Sequence, residues 1–259
     1  MSTGLPLARV EAREKVTGAA RYAVEHPFDT VAYGWIVTST VARGRIASID
    51  TAAALAAPGV IAVLSHDNAP RLHDTDNAEL FVLQRPEVAY RGQAVGVVVA
   101  ESPEAAREAA ALVRVEYEAQ RHDVILERDH PKLYRPEVVN PNLPTDTERG
   151  DFDGAFAAAA VNVDVTYSTP ALHNNPMEPH ATLAVWDSDG VTFYDSSQGA
   201  PSARPPLAQV LGLPEQRVRV VAEHVGGGFG SKGTPRPQAV LAALAAQVTG
   251  RPVKLPVTR

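Results

Sequence analysis

A glycine-rich loop near the end of the sequence is the strongest candidate for binding a ligand. Residues 226–233 read G-G-G-F-G-S-K-G. Consecutive glycines permit positive φ angles and let backbone N–H groups approach a bound group closely. Phe229 is an unfavourable residue in such a loop unless its ring packs against something. The pattern therefore predicts a ligand-binding loop; the alternative is a tight turn that packs a helix onto a sheet.

The same loop invites a comparison with nucleotide-binding fingerprints. Gly228, Gly230 and Gly233 satisfy G-x-G-x-x-G between a predicted strand and a predicted helix, the context that a dinucleotide site requires. However, the loop does not follow the first strand of the chain, and the next predicted strand carries no acidic residue to bind a ribose. A Walker A loop is excluded because Lys232 follows Ser231 and not a glycine. A nucleotide-binding dehydrogenase is therefore the weaker hypothesis.

A second polar segment, H-N-N-P-M-E-P-H, occupies residues 173–180. In a strand, Glu178 and His180 would share one face and His173 would not. The prolines also disfavour a regular strand. We therefore predict no metal ligated by protein side chains here. One hypothesis places His173 and Glu178 at the rim of a substrate pocket; the alternative is a rigid, proline-braced loop.

Composition narrows the function classes. The 259 residues include no cysteine, which excludes thiol nucleophiles, disulfides and thiolate sites for zinc or iron–sulfur clusters, and fits a reducing cytoplasm. The formal net charge is −6 with no basic run, so nucleic acid is not an expected partner. No apolar run reaches the length of a membrane-spanning helix or a signal peptide. G-x-S-x-G is absent, which excludes a serine hydrolase elbow.

The first part of the chain, to about residue 125, alternates short strands with helices. This order predicts an α/β fold (α+β) with a mixed sheet covered by helices. The predicted strands are 33–38, 46–50, 60–64, 93–100 and 113–117, and the predicted helices are 51–57 and 103–112.

A proline-rich, charged stretch then separates two parts of the sequence. We predict one domain over residues 1–125, a linker over 126–149 and a second domain over 150–259. The second domain is predicted to contain a helix from Asp151, a strand at 161–168, a hairpin of 182–186 and 191–195, helices at 203–211 and 237–248, and strands at 217–222 and 253–258. Because the sequence stops within a predicted strand, we expect a fragment or a subunit that another chain completes.

Several segments together resemble one known family. D-S-S-Q-G (195–199) and G-G-G-F-G-S-K (226–232) follow H-N-N-P-M-E-P-H-A, and the earlier phrases R-V-E-A-R-E-K-V-T-G-A-A-R-Y-A (9–23) and Y-R-G-Q-A-V-G-V-V-V-A (90–100) belong with them. The chain resembles the N-terminal portion of the large subunit of molybdenum hydroxylases, the aldehyde oxidase and xanthine dehydrogenase family. The resemblance implies an a/b hammerhead-like domain followed by the first part of a molybdopterin-binding domain.

The resemblance also implies a cofactor and the residues that hold it. The cofactor is molybdopterin carrying molybdenum, which is ligated by the pterin and by no protein residue. Gln198 would contact an oxygen of the molybdenum centre, and Phe229 with Gly230 would lie against its metal end. The full set of cofactor-binding residues implied is Gln198, Gly199, Gly227, Gly228, Phe229 and Gly230.

The family's chemistry is hydroxylation of aldehydes or N-heterocycles, with electrons passing to iron–sulfur and FAD partner chains. Xanthine-specific members have a glutamate where this chain has Gly233, which argues against a purine substrate. The family's catalytic base, a glutamate, belongs to a C-terminal portion beyond these residues, so no catalytic residue is assigned and the chain alone is expected to be inactive. The alternative is a non-catalytic relative that serves as a binding or assembly module.

Overall fold

The computed structural model describes residues 4–73, 75, 77–139 and 143–259. Its helices are α1 (Ala12–Thr17), α2 (Ala52–Leu55), α3 (Pro103–Ala110), α4 (Phe152–Ala158), α5 (Ala200–Leu211) and α6 (Pro237–Thr249). Its strands are β1 (Ala32–Thr38), β2 (Gly44–Asp50), β3 (Val60–Ser65), β4 (Glu87–Val88), β5 (Ala94–Ala100), β6 (Arg114–Ala119), β7 (Val138–Val139), β8 (Leu143–Pro144), β9 (Ala181–Asp187), β10 (Gly190–Asp195), β11 (Val218–Val221) and β12 (Val253–Pro256).

One mixed sheet joins strands from the two ends of the chain, in the order β11-β10-β9-β12-β1-β5-β3. The predicted β9–β10 hairpin forms with Gly190 opposite Asp187, and β12 pairs in parallel with β1. Residues up to His122 and Asn174–Arg259 form one compact unit, and Asp123–His173 forms another. The predicted boundary near residues 126–149 divides the sequence, whereas this sheet contains strands from both sides of it.

Helix α6 packs against strands β9 and β12 of the large sheet. It is apolar around its whole circumference, as expected of a helix enclosed in a core, and its residues from Gln238 to Ala246 are buried. Trp186 of β9 donates its indole N–H to the carbonyl oxygen of Ala243 at 2.8 Å. The helix ends at Gly250, whose φ of 65° places it in the left-handed region, as predicted for a C-terminal glycine.

The predicted strand–helix–strand of residues 93–117 forms, but its two strands do not share a sheet. Helix α3 begins as predicted, with the Ser102 hydroxyl accepting from the Ala105 N–H at 3.1 Å. Strand β5 lies in the large sheet, whereas β6 pairs with β2 in a separate sheet of order β4-β2-β6. Ile46 of β2 and Val88 of β4 form a buried apolar cluster with Val95 of β5, and Val115 and Tyr117 of β6 pack against it.

Two further predictions were wrong in detail. Residues 161–168 form no strand, although their apolar residues alternate. Helix α5 begins at Ala200, three residues before its predicted start, so Pro205 and Pro206 lie inside the helix. Gly199 precedes this helix and Pro201 occupies its first turn, a position that proline tolerates well. The stretch predicted to be a linker contains the short antiparallel pair β7–β8, and the predicted domain division stays a prediction.

Candidate functional site: the glycine-rich loop and the β10–α5 turn

Two segments meet at one edge of the large sheet. Strands β10 and β11 are parallel neighbours, with Val191 opposite Val218 and Tyr194 opposite Val221. Their carboxyl ends therefore lie at the same edge, which is where ligands bind in open α/β sheets. The segment containing Gln198 follows β10, and the glycine-rich loop follows β11.

The backbone of the loop requires glycine at several points. Gly227 and Gly230 both have φ of +94°, and Phe229 between them has φ of +53°. A positive φ at a bulky residue is strained and is typical of functional sites. A Cβ atom at Gly227 would lie 3.1 Å from Cε2 of Phe229 and 3.3 Å from Cβ of Pro176. The Phe229 ring thus lies over the backbone of Gly227, and it remains 73% exposed.

Gln198 connects the two segments directly. Its side chain occupies the space where a Cβ of Gly228 would lie, so any larger residue at position 228 would overlap it. The Gln198 N–H donates to the carbonyl oxygen of Lys232 at 2.9 Å. The structure therefore brings Gln198, Gly228 and Phe229 into one loop cluster, although they come from two separate parts of the sequence.

Gly199 is the N-cap residue of helix α5, beside this cluster. Its N–H donates to the Ser197 hydroxyl at 3.1 Å, and its carbonyl oxygen accepts from the Ser202 hydroxyl at 2.9 Å. A Cβ at Gly199 would approach the Ser202 hydroxyl to 2.5 Å, so a larger residue would displace that hydroxyl from its hydrogen bond. The positive end of the α5 dipole consequently lies next to Gln198, which favours an anionic group there.

A buried ion pair supports the loop from beneath. The Lys232 side chain is 0% exposed, and its Nζ donates to Oε2 of Glu178 at 2.8 Å and to the Glu178 carbonyl oxygen at 2.8 Å. The Gly226 N–H also donates to Oε2 of Glu178 at 2.8 Å. Glu178, with a side chain only 11% exposed, binds the base of the loop, and its predicted place at the rim of a substrate pocket stays a prediction.

Other polar residues in this region received no role from the sequence. The ring Nε2 of His180 lies 3.0 Å from the Ser231 carbonyl oxygen, and Arg236 donates to the same oxygen at 2.8 Å. Asp195 accepts a hydrogen bond from the Thr182 hydroxyl, and burial raises the pKa of Asp195 to about 6. In the sequence, Lys232 lies in a glycine-rich run and Asp195 ends an apolar strand. Neither pattern predicts by itself that the side chain is buried.

His173 belongs to the unit Asp123–His173 and is exposed. Its predicted place in a substrate pocket stays a prediction. Among the residues that the structure describes, no group of three or more histidine, aspartate and glutamate side chains could hold a metal ion.

The cluster offers hydrogen-bond donors for an oxygen-rich ligand. Within the described ranges, the backbone N–H groups of residues 227–230 have no acceptor, and the carboxamide of Gln198 lies beside them. Such donors suit oxo and phosphate oxygens. The Phe229 ring adds an exposed apolar surface. These residues fit a ligand that offers oxygen acceptors to the loop and an apolar surface to Phe229.

Comparison with known proteins identifies the two parts of the sequence. The family model described as aldehyde oxidase and xanthine dehydrogenase, a/b hammerhead domain, matches residues 17–121. The model described as molybdopterin cofactor-binding domain matches residues 134–259. Together they span most of the chain, which confirms the predicted order of a hammerhead domain and a molybdopterin-binding domain.

Individual relatives agree with these matches. The aldehyde oxidoreductase molybdenum-binding subunit PaoC of Escherichia coli (strain K12) is 42% identical over 258 residues, which are 99% of this chain and 35% of that protein. The nicotinate dehydrogenase large molybdopterin subunit of Eubacterium barkeri is 32% identical, over 86% of this chain and 54% of that protein. The CO dehydrogenase of Oligotropha carboxidovorans superposes with a TM-score of 0.79 at 29% identity, over 99% of this chain and 35% of that chain.

The chain thus spans about a third of the length of PaoC and of the CO dehydrogenase chain. Both family models and the two curated relatives, one a molybdenum-binding subunit and one a molybdopterin subunit, point to the same group of enzymes. The chain belongs to the aldehyde oxidase and xanthine dehydrogenase family.

Proposed function

We propose that this chain is the molybdenum-cofactor-binding part of an oxidoreductase that hydroxylates aldehydes or N-heterocycles. The observation that carries the proposal is the packing of the Gln198 side chain against Gly228, beside loop N–H groups that have no acceptor among the described residues. The names of the relatives support the substrate classes, since one is an aldehyde oxidoreductase and another a nicotinate dehydrogenase.

Each residue of the cluster has a distinct task in this proposal. The Gln198 carboxamide and the N–H groups of residues 227–230 donate to oxygen atoms of the cofactor, and Phe229 limits access to its exposed face. Gly199 places the N-terminus of α5 towards negative charge. The bound cofactor supplies the two-electron redox chemistry, while these residues bind and orient it. Gly233 leaves no side chain there to recognise a purine.

We propose that the remainder of the enzyme lies outside these 259 residues. The relatives PaoC and CO dehydrogenase are about three times as long as the matched region, and no described residue is assigned as a general base. We propose that a companion C-terminal polypeptide supplies that base and the rest of the cofactor site, and that iron–sulfur and flavin chains accept the electrons. General-base catalysis typically contributes ~10² to 10⁴ in rate, so the isolated chain is expected to be inactive.

The proposal is tested by comparing the isolated chain with the complete enzyme, meaning this chain purified with the polypeptides that accompany it in its source. Both are expressed with molybdenum-cofactor biosynthesis intact. Molybdenum is measured by mass spectrometry, pterin by fluorescence after oxidation, and aldehyde oxidation with an artificial electron acceptor. The expected result is molybdenum with turnover in the complete enzyme and no turnover in the isolated chain.

Gln198→Ala should lower the molybdenum content of the complete enzyme at least severalfold. Gln209→Ala is the matched control, because Gln209 is exposed on helix α5 and its loss should change nothing. A complete enzyme without molybdenum would refute the cofactor assignment. Stoichiometric molybdenum with turnover from the isolated chain would refute the need for a companion polypeptide.

A further inference from the structure

The unit Asp123–His173 contains a segment with the sequence of a strand and no strand partner. Residues 161–168 read V-N-V-D-V-T-Y-S, a strict alternation of β-branched or aromatic residues with polar ones. This period of two is typical of a strand with one buried face. In the structure these residues have no regular secondary structure, so their alternation is not used within the described chain.

The apolar members of this segment are all exposed. Val161, Val163, Val165 and Tyr167 are 81%, 69%, 55% and 86% exposed. Four large apolar side chains are therefore exposed within eight residues, and exposed apolar residues grouped in this way mark interaction sites. The polar residues Asn162, Asp164, Thr166 and Ser168 occupy the alternate positions.

Helix α4, which precedes the segment, also has exposed apolar side chains. Helix α4 buries none of its residues, although Phe152 and Phe156 stack on each other with ring centroids 5.4 Å apart. A seven-residue helix is not stable by itself in water, and helices of proteins draw most of their stability from an apolar face packed on a core. Helix α4 and residues 161–168 therefore both lack a covering partner in the described chain.

We infer that residues 161–168 are a docking strand, which pairs with an edge strand of a β-sheet in the polypeptide that completes the large subunit. The inference rests on the proposed function, because the partner is the part of the relatives' length that this chain does not span. Main-chain hydrogen bonds to the edge strand supply affinity, and the side chains of one face supply the register. The partner sheet must present an apolar face to Val161, Val163, Val165 and Tyr167.

Pairing would also satisfy the backbone of the segment. An extended strand exposes alternate N–H and C=O groups along each edge, and an edge strand of a partner offers the matching row. Pro170 limits the pairing at the C-terminal side, because proline has no N–H to donate. The docking strand is therefore defined at one end by α4 and at the other by Thr169-Pro170.

Amide hydrogen exchange tests the inference. Exchange at residues 161–168 is compared between the isolated chain and the complete enzyme. In the complete enzyme we expect protection by a factor of roughly 10² or more, at least at every second amide, and little protection in the isolated chain. Free exchange in both would overturn the inference. Protection in the isolated chain that rises with its concentration would also overturn it, because the partner would then be a second copy of this chain.

A pair of variants separates the apolar face from the polar one. Val163→Asp places a carboxylate in the proposed interface, and it should reduce the companion polypeptide recovered with this chain by about 10- to 100-fold. Asn162→Asp adds the same charge on the opposite face, and it should reduce recovery less than about twofold. Equal effects of the two variants would contradict a strand with one docking face.

Molybdenum content distinguishes failure of this inference from failure of the proposed function. A complete enzyme with molybdenum and an unprotected segment would remove only the docking strand. A complex with a protected segment and no molybdenum would keep the docking strand and remove the proposed function.

Discussion

Lys232 and Glu178 form a buried ion pair that closes the base of the glycine-rich loop, with Nζ of Lys232 2.8 Å from Oε2 of Glu178 and no exposed surface on the lysine side chain. The two residues are 54 positions apart in the sequence. Because Oε2 of Glu178 also accepts from the Gly226 N–H, one carboxylate fixes both ends of the loop. The loop above it can then hold strained backbone angles.

Removing the lysine should destabilise the fold strongly. Lys232→Met leaves Glu178 buried without its cation, and loss of one partner of a buried pair typically costs about 3–5 kcal/mol. Urea denaturation of the isolated chain measures this loss. The double variant Lys232→Met with Glu178→Gln should recover part of this loss, because no unpaired charge remains.

Arg45 and Glu87 provide the control, since they form an exposed ion pair at 2.9 Å. Glu87→Gln should cost less than about 1 kcal/mol. Equal costs at the two pairs would contradict a stabilising role for the buried Lys232–Glu178 pair.

Asp195 should make stability depend on pH in an unusual direction. Burial raises its pKa to about 6 in the folded chain, whereas it titrates near 4 in the unfolded chain. The folded state therefore retains a proton between these values that the unfolded state has lost. The stability contributed by protonated Asp195 is full below about pH 4 and is lost as the pH rises through about 6.

Asp195→Asn isolates this effect, since an asparagine resembles the protonated acid and does not titrate. The free energy of unfolding of the natural chain should fall relative to the variant between pH 4 and pH 7, by an amount on the order of 2–3 kcal/mol. Taking the difference removes the contributions of the other carboxylates. A difference that is constant over this range would show that the pKa of Asp195 is the same in the folded and the unfolded chain.

Two glycines of the same loop should respond differently to a methyl group. Gly228→Ala displaces the Gln198 side chain, which occupies the position of the added Cβ. Gly233→Ala is the control, because the nearest atom to its added Cβ is the Gly230 carbonyl oxygen at 3.8 Å. We expect Gly228→Ala to lower the molybdenum content of the complete enzyme at least tenfold and Gly233→Ala to leave it within about twofold. Similar losses for both would mean that the position of Gln198 is irrelevant to binding.

Limited proteolysis should begin in the stretch that the sequence marks as a linker. Arg128, Lys132 and Arg149 are exposed there, in the smaller unit Asp123–His173, and proteases cut mobile exposed segments first. We expect trypsin to cleave the isolated chain at these residues before Arg219, which is also exposed but lies in strand β11. Earlier cleavage at Arg219 would contradict the predicted domain boundary.

The sequence predicted most elements because local signals were strong. Ser102 followed by Pro103 gave the start of α3, and Gly250 gave the end of α6. The strand at 161–168 was wrong because alternation shows that a face could be buried, while burial requires a partner that these residues do not contain. Strands β5 and β6 lie in different sheets because β6 pairs with β2, with Ile46 of β2 opposite Tyr117 of β6. No local sequence pattern specifies that pairing.

Only two aspects of the site could be predicted from the sequence. These are the backbone conformation of the glycine-rich loop and the cofactor-binding residues that the family resemblance implies. Positive φ at Gly227 and Gly230 follows from what glycine permits. The buried positions of Lys232 and Asp195 depend instead on contacts with Glu178 and Thr182, which are distant or offset in sequence. For both Lys232 and Asp195, residue type alone predicts an exposed side chain, since lysine and aspartate are rarely buried unless paired.

Replacing Phe229 with glycine should raise the free energy of unfolding and lower the molybdenum content of the complete enzyme. The φ of +53° at Phe229 is a conformation that costs a non-glycine residue ~1 kcal/mol, and its ring is largely exposed, so Phe229→Gly should raise the free energy of unfolding by up to that amount. The same variant should lose molybdenum from the complete enzyme, because it removes the ring that we propose lies against the cofactor.

Thr30 provides the control for this last variant. It is exposed and has φ of +56°, so Thr30→Gly should relieve comparable strain while molybdenum content is unchanged. Denaturation of the isolated chain and metal analysis of the complete enzyme give the two quantities separately. If Phe229→Gly stabilised the chain and kept its molybdenum, the strained phenylalanine would have no role at the cofactor site. If it destabilised the chain, the ring's contact with Gly227 and Pro176 would outweigh the backbone strain.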